Sequence, residues 1–254
     1  MNYKDLIKEF EKFAPLYLQE DFDNSGLQIS PLEEEVTKAV VSLNLDRHSL
    51  ELARSRGANM IFTHHPPFFL KHRNLNDDLF IKEFIKQAIR EGIGVYSAHT
   101  NLDACKGGLS DYLGEILGFN FSNIILENDR GCGYGRYGEK EFESLPFLAN
   151  YVKEKLNSNS CYFVDAGVKP NKIGYIPGSG DDFIGECIEK GIDTLISSEF
   201  GEFEIFWASE SKLNLIDVGH FPSENIVVDI FKNFLENFNI EVFVNKKKDI
   251  RISI

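Results

Sequence analysis

Asn59-Met60-Ile61-Phe62-Thr63-His64-His65-Pro66 decides the fold. An apolar run of strand length passes without a break into two histidines and a proline turn. The same unit lies on either side of it. Upstream, Lys38-Ala39-Val40-Val41-Ser42-Leu43-Asn44-Leu45 reads as a buried strand that leads into a helix from Arg47 to Ser55, stopped at Gly57. Downstream, a helix from Asp78 to Arg90 ends at Gly92. Ile93-Gly94-Val95-Tyr96-Ser97 is then a third strand, followed by a helix through Leu109 to Leu117. Strands alternating with helices of this length predict βαβ crossovers and a largely parallel sheet. Such sheets carry their active sites at the carboxyl ends of the strands.

Working outward, Lys4 to Leu18 places Leu6, Ile7, Phe10, Phe13 and Ala14 at helical spacing, ending near Pro15 to Gln19. Residues 21–28 are rich in turn-formers and read as a loop. The composition shifts at Gly131-Cys132-Gly133-Tyr134-Gly135-Arg136-Tyr137-Gly138, too glycine-rich for a helix and the expected entrance to a second lobe. That lobe reads as a helix from Leu145 to Leu156, strands near Cys161–Val164 and Lys172–Ile176, a helix from Phe183 to Lys190 and a strand from Thr194 to Ser197. Leu213 to Val218 is another buried strand, Glu224 to Phe238 an amphipathic helix, and Val242–Val244 and Ile250–Ile254 are closing strands. The expectation is an α/β protein of two βα-rich lobes with largely parallel or mixed sheets. A metal-site domain would span 1–127 plus 215–254, a second lobe 128–214, and the site would lie at the strand carboxyl ends between them.

The 254 residues suffice for a sizeable core without disulfides or a structural metal. Acidic side chains number 40 and basic ones 27, a net charge of −13, which disfavours nucleic acid as the main partner. Cys105, Cys132, Cys161 and Cys187 have no C-x-x-C spacing and read as free, mostly buried thiols of a cytoplasmic protein. The first residues lack a signal-peptide pattern, and no apolar run approaches the roughly 18 residues of a membrane span.

Four of six histidines fall just after strands: His64 and His65 after Thr63, His99 after Ser97, and His220 after Val218. If the strands are parallel neighbours, these residues converge with Asp103 and Glu224 at one sheet edge. Adjacent His64 and His65 point in divergent directions, which suits two ions better than one. His220 and Glu224 stand at i and i+4, with Pro222 placed for a first helical turn. Imidazole and carboxylate without thiolate suit Zn, Mn, Fe or Ni in an open site, and two ions about 3.5–4 Å apart are the usual water-activating pair. His48 and His72 share no such placement and read as surface residues. Pro177-Gly178-Ser179-Gly180-Asp181-Asp182 reads as a tight turn capping a helix, and Arg136 is a candidate phosphate partner.

Thr63-His64-His65-Pro66, Ser97-Ala98-His99-Thr100-Asn101-Leu102-Asp103 and Gly219-His220-Phe221-Pro222-Ser223-Glu224 resemble signature segments of the GTP cyclohydrolase I type 2 family. Asp23-Asn24-Ser25-Gly26-Leu27-Gln28, Asn44-Leu45-Asp46 and Gly135-Arg136-Tyr137-Gly138-Glu139 look like its other landmarks, in the same order along nearly the whole chain. The resemblance implies two divalent ions per subunit, with His65 and Asp103 on one, His64 and His220 on the other, and Glu224 shared. It also implies a compact subunit without an additional inserted domain, and a ring-shaped homohexamer. One departure is visible: after Ile196-Ser197-Ser198-Glu199, where relatives often carry Gly and then His, this chain reads Phe200-Gly201-Glu202-Phe203.

By that likeness the leading expectation is a dinuclear metal-dependent hydrolase converting GTP and water to 7,8-dihydroneopterin triphosphate and formate. His99 and Asp46, both on strand-end loops, are the candidate acid–base groups; for His99 an orienting role toward Asp103 stands equally open. A metal-dependent phosphoesterase for another nucleotide or phosphometabolite fits the same ligand set, as does a non-catalytic metal-binding ring.

Overall fold

The computed structural model describes residues 1–69, 80–129 and 131–251. In chain order the elements begin α1 (Tyr3–Phe13), β1 (Gly26–Ile29), β2 (Lys38–Ser42), α2 (Arg47–Arg56), β3 (Met60–Thr63), α3 (Ile81–Arg90), β4 (Gly94–Ser97) and α4 (Thr100–Ala104). They continue with α5 (Leu109–Leu117), β5 (Asn123–Glu127), β6 (Gly133–Glu139), α6 (Leu145–Lys155), β7 (Tyr162–Val164), β8 (Lys172–Ser179), α7 (Ile184–Glu189) and β9 (Thr194–Ser198). Last come α8 (Glu202–Glu210), β10 (Asn214–Asp217), α9 (His220–Glu224), α10 (Val227–Glu236) and β11 (Glu241–Val244).

The chain divides into two compact units. One comprises Met1–Lys106 and Val227–Lys247, the other Gly107–Ile226 and Lys248–Ile254. The sequence boundaries at 127/128 and 214/215 differ from these. Helix α5 packs on β6 and β8 and so counts with the second unit, while α10 packs on β2 and β11 of the first.

The first unit holds a five-stranded sheet in the order β1-β4-β3-β2-β11. Four strands run parallel and β1 runs antiparallel along β4. Alternation along each strand sorts the side chains to two faces. Phe62 and Tyr96 meet Phe10 of α1 and Phe231 of α10, all nearly devoid of exposure. Ile61 and Val95, one residue earlier, pack with Leu50 and Ala53 of α2 and Ile85 and Ala88 of α3.

The second unit repeats this logic on a six-stranded mixed sheet, β5-β6-β8-β9-β10-β7. Ile196 and Ile216 face α5 and α6 through Leu113, Leu117, Leu148 and Val152. Leu195 and Leu215 face α7 and α8 through Ile184, Cys187 and Ala208. The protein is therefore mixed α/β with two sheets, as the strand–helix alternation predicts. Among the described residues no helix is long and apolar enough to cross a membrane.

Several local expectations change. The first helix stops at Phe13, and a separate 3-10 turn covers Leu16–Leu18 because Pro15 cannot donate into the helix. The loop at residues 21–28 contains β1, whose Gly26 pairs with Ser97. Within the glycine-rich segment, Gly133 to Gly138 belong to a strand, β6, paired with β5 and β8. The helix expected from Glu224 to Phe238 is two, α9 and α10. Ile250 and Arg251 lie in no strand. Residues 252–254, His72, and the start of the helix expected at Asp78 lie outside the described residues.

Candidate functional site

Register builds the site in the first unit. Ser42, Thr63 and Ser97 are Cα partners across β2, β3 and β4, so the residues after them leave one edge of the sheet side by side. Thr63 and Ser97 join that edge through their hydroxyls at 2.8 Å, and the Thr63 hydroxyl donates to the His65 carbonyl. His64 follows β3 and is wholly buried, whereas His65 and His99 keep partial exposure. Their rings sit together, with centroids 5.1 Å apart for His64–His65 and His64–His99, and 5.5 Å for His65–His99.

Each imidazole is tied down by an oxygen at Nδ1. His64 Nδ1 lies 2.8 Å from the Ala98 carbonyl, His65 Nδ1 2.8 Å from Asn44 Oδ1, and His99 Nδ1 2.9 Å from Asp23 Oδ1. A carbonyl, an amide oxygen and a carboxylate all accept, so each Nδ1 carries the proton. With Nδ1 so held, Nε2 is the ring nitrogen left in each to serve as a metal ligand. One ligand atom from each of the three lies within 4.8 Å of the other two. Divalent ions sit about 2.1 Å from imidazole nitrogen and so span donors up to about 4 Å apart, which brings the trio within a small side-chain adjustment of ligation. Asp103, on α4, places Oδ1 3.6 Å from His64 Nε2. The donor set therefore fits a divalent ion.

Asp23 is the most heavily engaged carboxylate of this edge. Its Oδ2 accepts from the Thr100 amide at 3.0 Å, the Thr100 hydroxyl at 2.5 Å and the Ser25 hydroxyl at 3.0 Å. Burial pushes the Asp23 carboxyl up. The bonds and charge of His99, with Thr100 and the Asn24 amide, outweigh burial and hold it well below the usual carboxylate range.

In the second unit, α9 brings His220 and Glu224 to one face at i and i+4, with Nε2 and Oε2 2.8 Å apart. Glu224 is buried and His220 half-buried. Burial pulls the His220 imidazole down, but Glu224 and Glu199 outweigh it and push it up to about 9. Room for Glu224 depends on Gly178, whose φ is +71°: a Cβ there would stand 2.2 Å from Glu224 Oε1. Gly178 is itself fixed, donating to the Ser223 hydroxyl and accepting from the Ser197 hydroxyl, both at 3.0 Å.

Other sequence candidates resolve differently. Asp46 forms the capping box of α2 with Ser49, accepts from Asn245 at 3.3 Å and pairs with Lys247 at 3.1 Å. It is a helix cap, because both oxygens are already occupied. Arg136 is buried, pairs with Asp111 at 2.6 Å and donates to the Gly133 and Gly135 carbonyls, so it braces β6 instead of meeting a phosphate. Asp181 binds the Gly201 amide ahead of α8. His48 is exposed and bonded to Asn245. All four cysteines are free, and only Cys105 and Cys187 are buried. Burial pushes the Cys187 thiol up to about 12, far from a nucleophile's range. Asn44, Asp23 and Glu199 stand in quoted segments of the sequence but drew no role there, since polar residues in loops are ordinary. For Asn44 and Glu199 the available signal was their place just beyond a strand end; Asp23, ahead of β1, offered none.

Comparison with known proteins bears on the whole chain. A Clostridium perfringens protein named GTP cyclohydrolase 1 type 2 homolog is 35% identical over 97% of each chain. A Helicobacter pylori protein named GTP cyclohydrolase 1 type 2 is 26% identical, over 97% of this chain and 96% of its own. Among solved structures, a Staphylococcus aureus hypothetical protein superposes with TM-score 0.89 at 24% identity, covering 100% of this chain and 99% of its own. Reduced HcgD from Methanocaldococcus jannaschii superposes with TM-score 0.81 at 29% identity, covering 97% of this chain and 98% of that one. The family model Duf34/NIF3 (NGG1p interacting factor 3) matches residues 1–250, and the chain belongs to that family.

Proposed function

We propose that this protein is a dinuclear metal-dependent hydrolase of a nucleotide, with conversion of GTP and water to 7,8-dihydroneopterin triphosphate and formate as its reaction. The observation that carries the reading is the trio His64, His65 and His99, each ring held at Nδ1 by an oxygen, with one ligand atom from each within 4.8 Å of the other two at the carboxyl edge of a parallel sheet. His64, His65, Asp103, His220 and Glu224 are the proposed ligands of two divalent ions. The family's signature order along the chain supports that set. Bound divalent ions would supply a water acidified toward neutrality and a positive field for a phosphate-bearing substrate.

The chain's own residues do the rest. The Ala98 carbonyl and Asn44 amide orient His64 and His65 without adding charge. Asp23 adds charge at His99 Nδ1, which stabilises an imidazolium and suits His99 to accept a proton at Nε2 and return it. His99 is thus the acid–base residue of this reading. Names carried by the relatives support a nucleotide substrate, the family resemblance supports a homohexameric ring, and the free cysteines support a cytoplasmic place.

Incubation of metal-loaded protein with GTP is expected to yield formate and, after oxidation, a fluorescent pterin. Loaded protein that gives neither product while cleaving a generic phosphodiester would establish the phosphoesterase instead. Loaded protein inert toward every nucleotide would favour a metal-binding interaction protein. His65→Ala and Glu224→Ala are expected to lower bound metal, and unchanged metal content in both would sink the ligand assignment.

A further inference from the structure

Glu199 has a left-handed backbone that no helix end accounts for. Four non-glycine residues have positive φ among those described: Asn157, Glu199, Lys212 and Asn239. Asn157, Lys212 and Asn239 each follow the end of a helix, where a left-handed residue is an ordinary terminator. Glu199, at φ +57°, follows the strand β9. Glutamate has no local hydrogen bond of the Asn or Asp kind to offset the crowding of Cβ in that region.

Three contacts impose the conformation. Asp217, at the end of β10, accepts the Glu199 amide at 3.0 Å through one oxygen and the Gly219 amide at 2.8 Å through the other. Gly180 donates to the Ser198 carbonyl at 2.9 Å, and Gly201 donates to Asp181 at 2.8 Å. Asp217 therefore joins the residue after β9 to the residue before His220. The outcome of the arrangement is at the side chain: Glu199 Oε2 stands 3.0 Å from His220 Nδ1, while Glu224 stands at Nε2 of the same ring.

We infer that Glu199 is the positioning residue of His220, kept in a strained backbone so that its carboxylate fixes Nδ1 and turns Nε2 toward a divalent cation. Like Asp23 beside His99 it is a carboxylate at Nδ1, here as an ion pair from an exposed side chain. Strain that persists at one residue is expected where surrounding contacts over-determine it and function uses it. This inference rests on the metal reading of the site and adds to it a residue outside the expected ligand set.

Two variants separate the carboxylate from the backbone. Glu199→Gly removes both, and Glu199→Gln keeps the left-handed strain and an acceptor oxygen but removes the charge. Zn(II) affinity, read by competition with a chromophoric chelator, is expected to fall about 10- to 100-fold in E199G, the usual cost of losing an orienting partner. The melting temperature of metal-free E199G is expected to rise by about 2–4 °C as the strain is released. E199Q is expected to recover most of the lost affinity with no gain in melting temperature. E199G with wild-type affinity overturns the inference, and so does E199G that loses affinity and stability together, which marks a merely structural residue. A wild-type protein that takes up no Zn(II) or Mn(II) overturns the metal reading itself, and Glu199's role with it.

Discussion

Asp23 collects His99, Thr100, Ser25 and the Asn24 amide onto two carboxylate oxygens, an arrangement that only an ionised group satisfies. In Asp23→Asn one oxygen becomes an NH2 that cannot accept from Thr100. The variant is expected to lose about 2–3 kcal/mol at neutral pH, measured by urea denaturation of metal-free protein. The sign of the pH dependence follows from the depressed carboxyl. Stability from the Asp23 charge is fully present above the unfolded value near 3.8 and drains away as pH falls below it. The gap between wild type and D23N should therefore narrow from pH ~6 to pH ~3, and a gap constant over that range would exclude ionisation as the cause. The histidines at this scale were legible because a His directly after a strand has few structural reasons to recur at three strand ends. Their acceptors were not, because a carbonyl, an amide and a carboxylate in a loop acquire meaning only from distance. Asp46 reads two ways for the opposite reason: an acidic residue after a strand and before a helix is as apt a cap as a catalyst, and here Oδ1 caps α2 while Oδ2 pairs with Lys247.

Strands β3 and β9 illustrate why elements were easier to read than residues. Apolar runs with helices between them announce buried parallel strands, and both sheets obey that pattern at β2–β4 and β8–β10. What the pattern misses is pairing by short or glycine-rich segments. β1 and β6 lack the apolar run and owe their strand geometry to the neighbours they pair with, β4 and β8. The strand irregularity at Gly178, where the sequence suggested a tight turn, is a further case: β8 shifts register against β9 and passes close to α9. Gly178→Ala must displace Glu224 as well as bear a positive φ, so a loss of about 2–3 kcal/mol is expected on thermal unfolding. Its metal content should fall with it. A well-folded G178A that retains full metal content would show that Glu224 does not need this approach.

The cluster of His64, His65 and His99 lies within the first unit. Metal at about 100 times its dissociation constant stabilises a folded protein by about 2.7 kcal/mol. Hydrogen exchange at the β3 amides of that unit should therefore slow on adding metal, and much less in His64→Ala/His65→Ala. Equal slowing in that variant would show that these histidines do not hold the metal. The chain itself crosses between the units at Lys106/Gly107, Ile226/Val227 and Lys247/Lys248. During synthesis the ribosome delivers β1 to β4 early, but β11, the neighbour of β2 at the sheet edge, and α10, which packs on both, emerge only after the second sheet. All six strands of that sheet are out by then, so it can close while the first still presents the bare edge of β2. The nascent protein thus carries an unpaired, apolar strand edge while all of β5 to β10 is made, and that interval is when a holdase has most to protect.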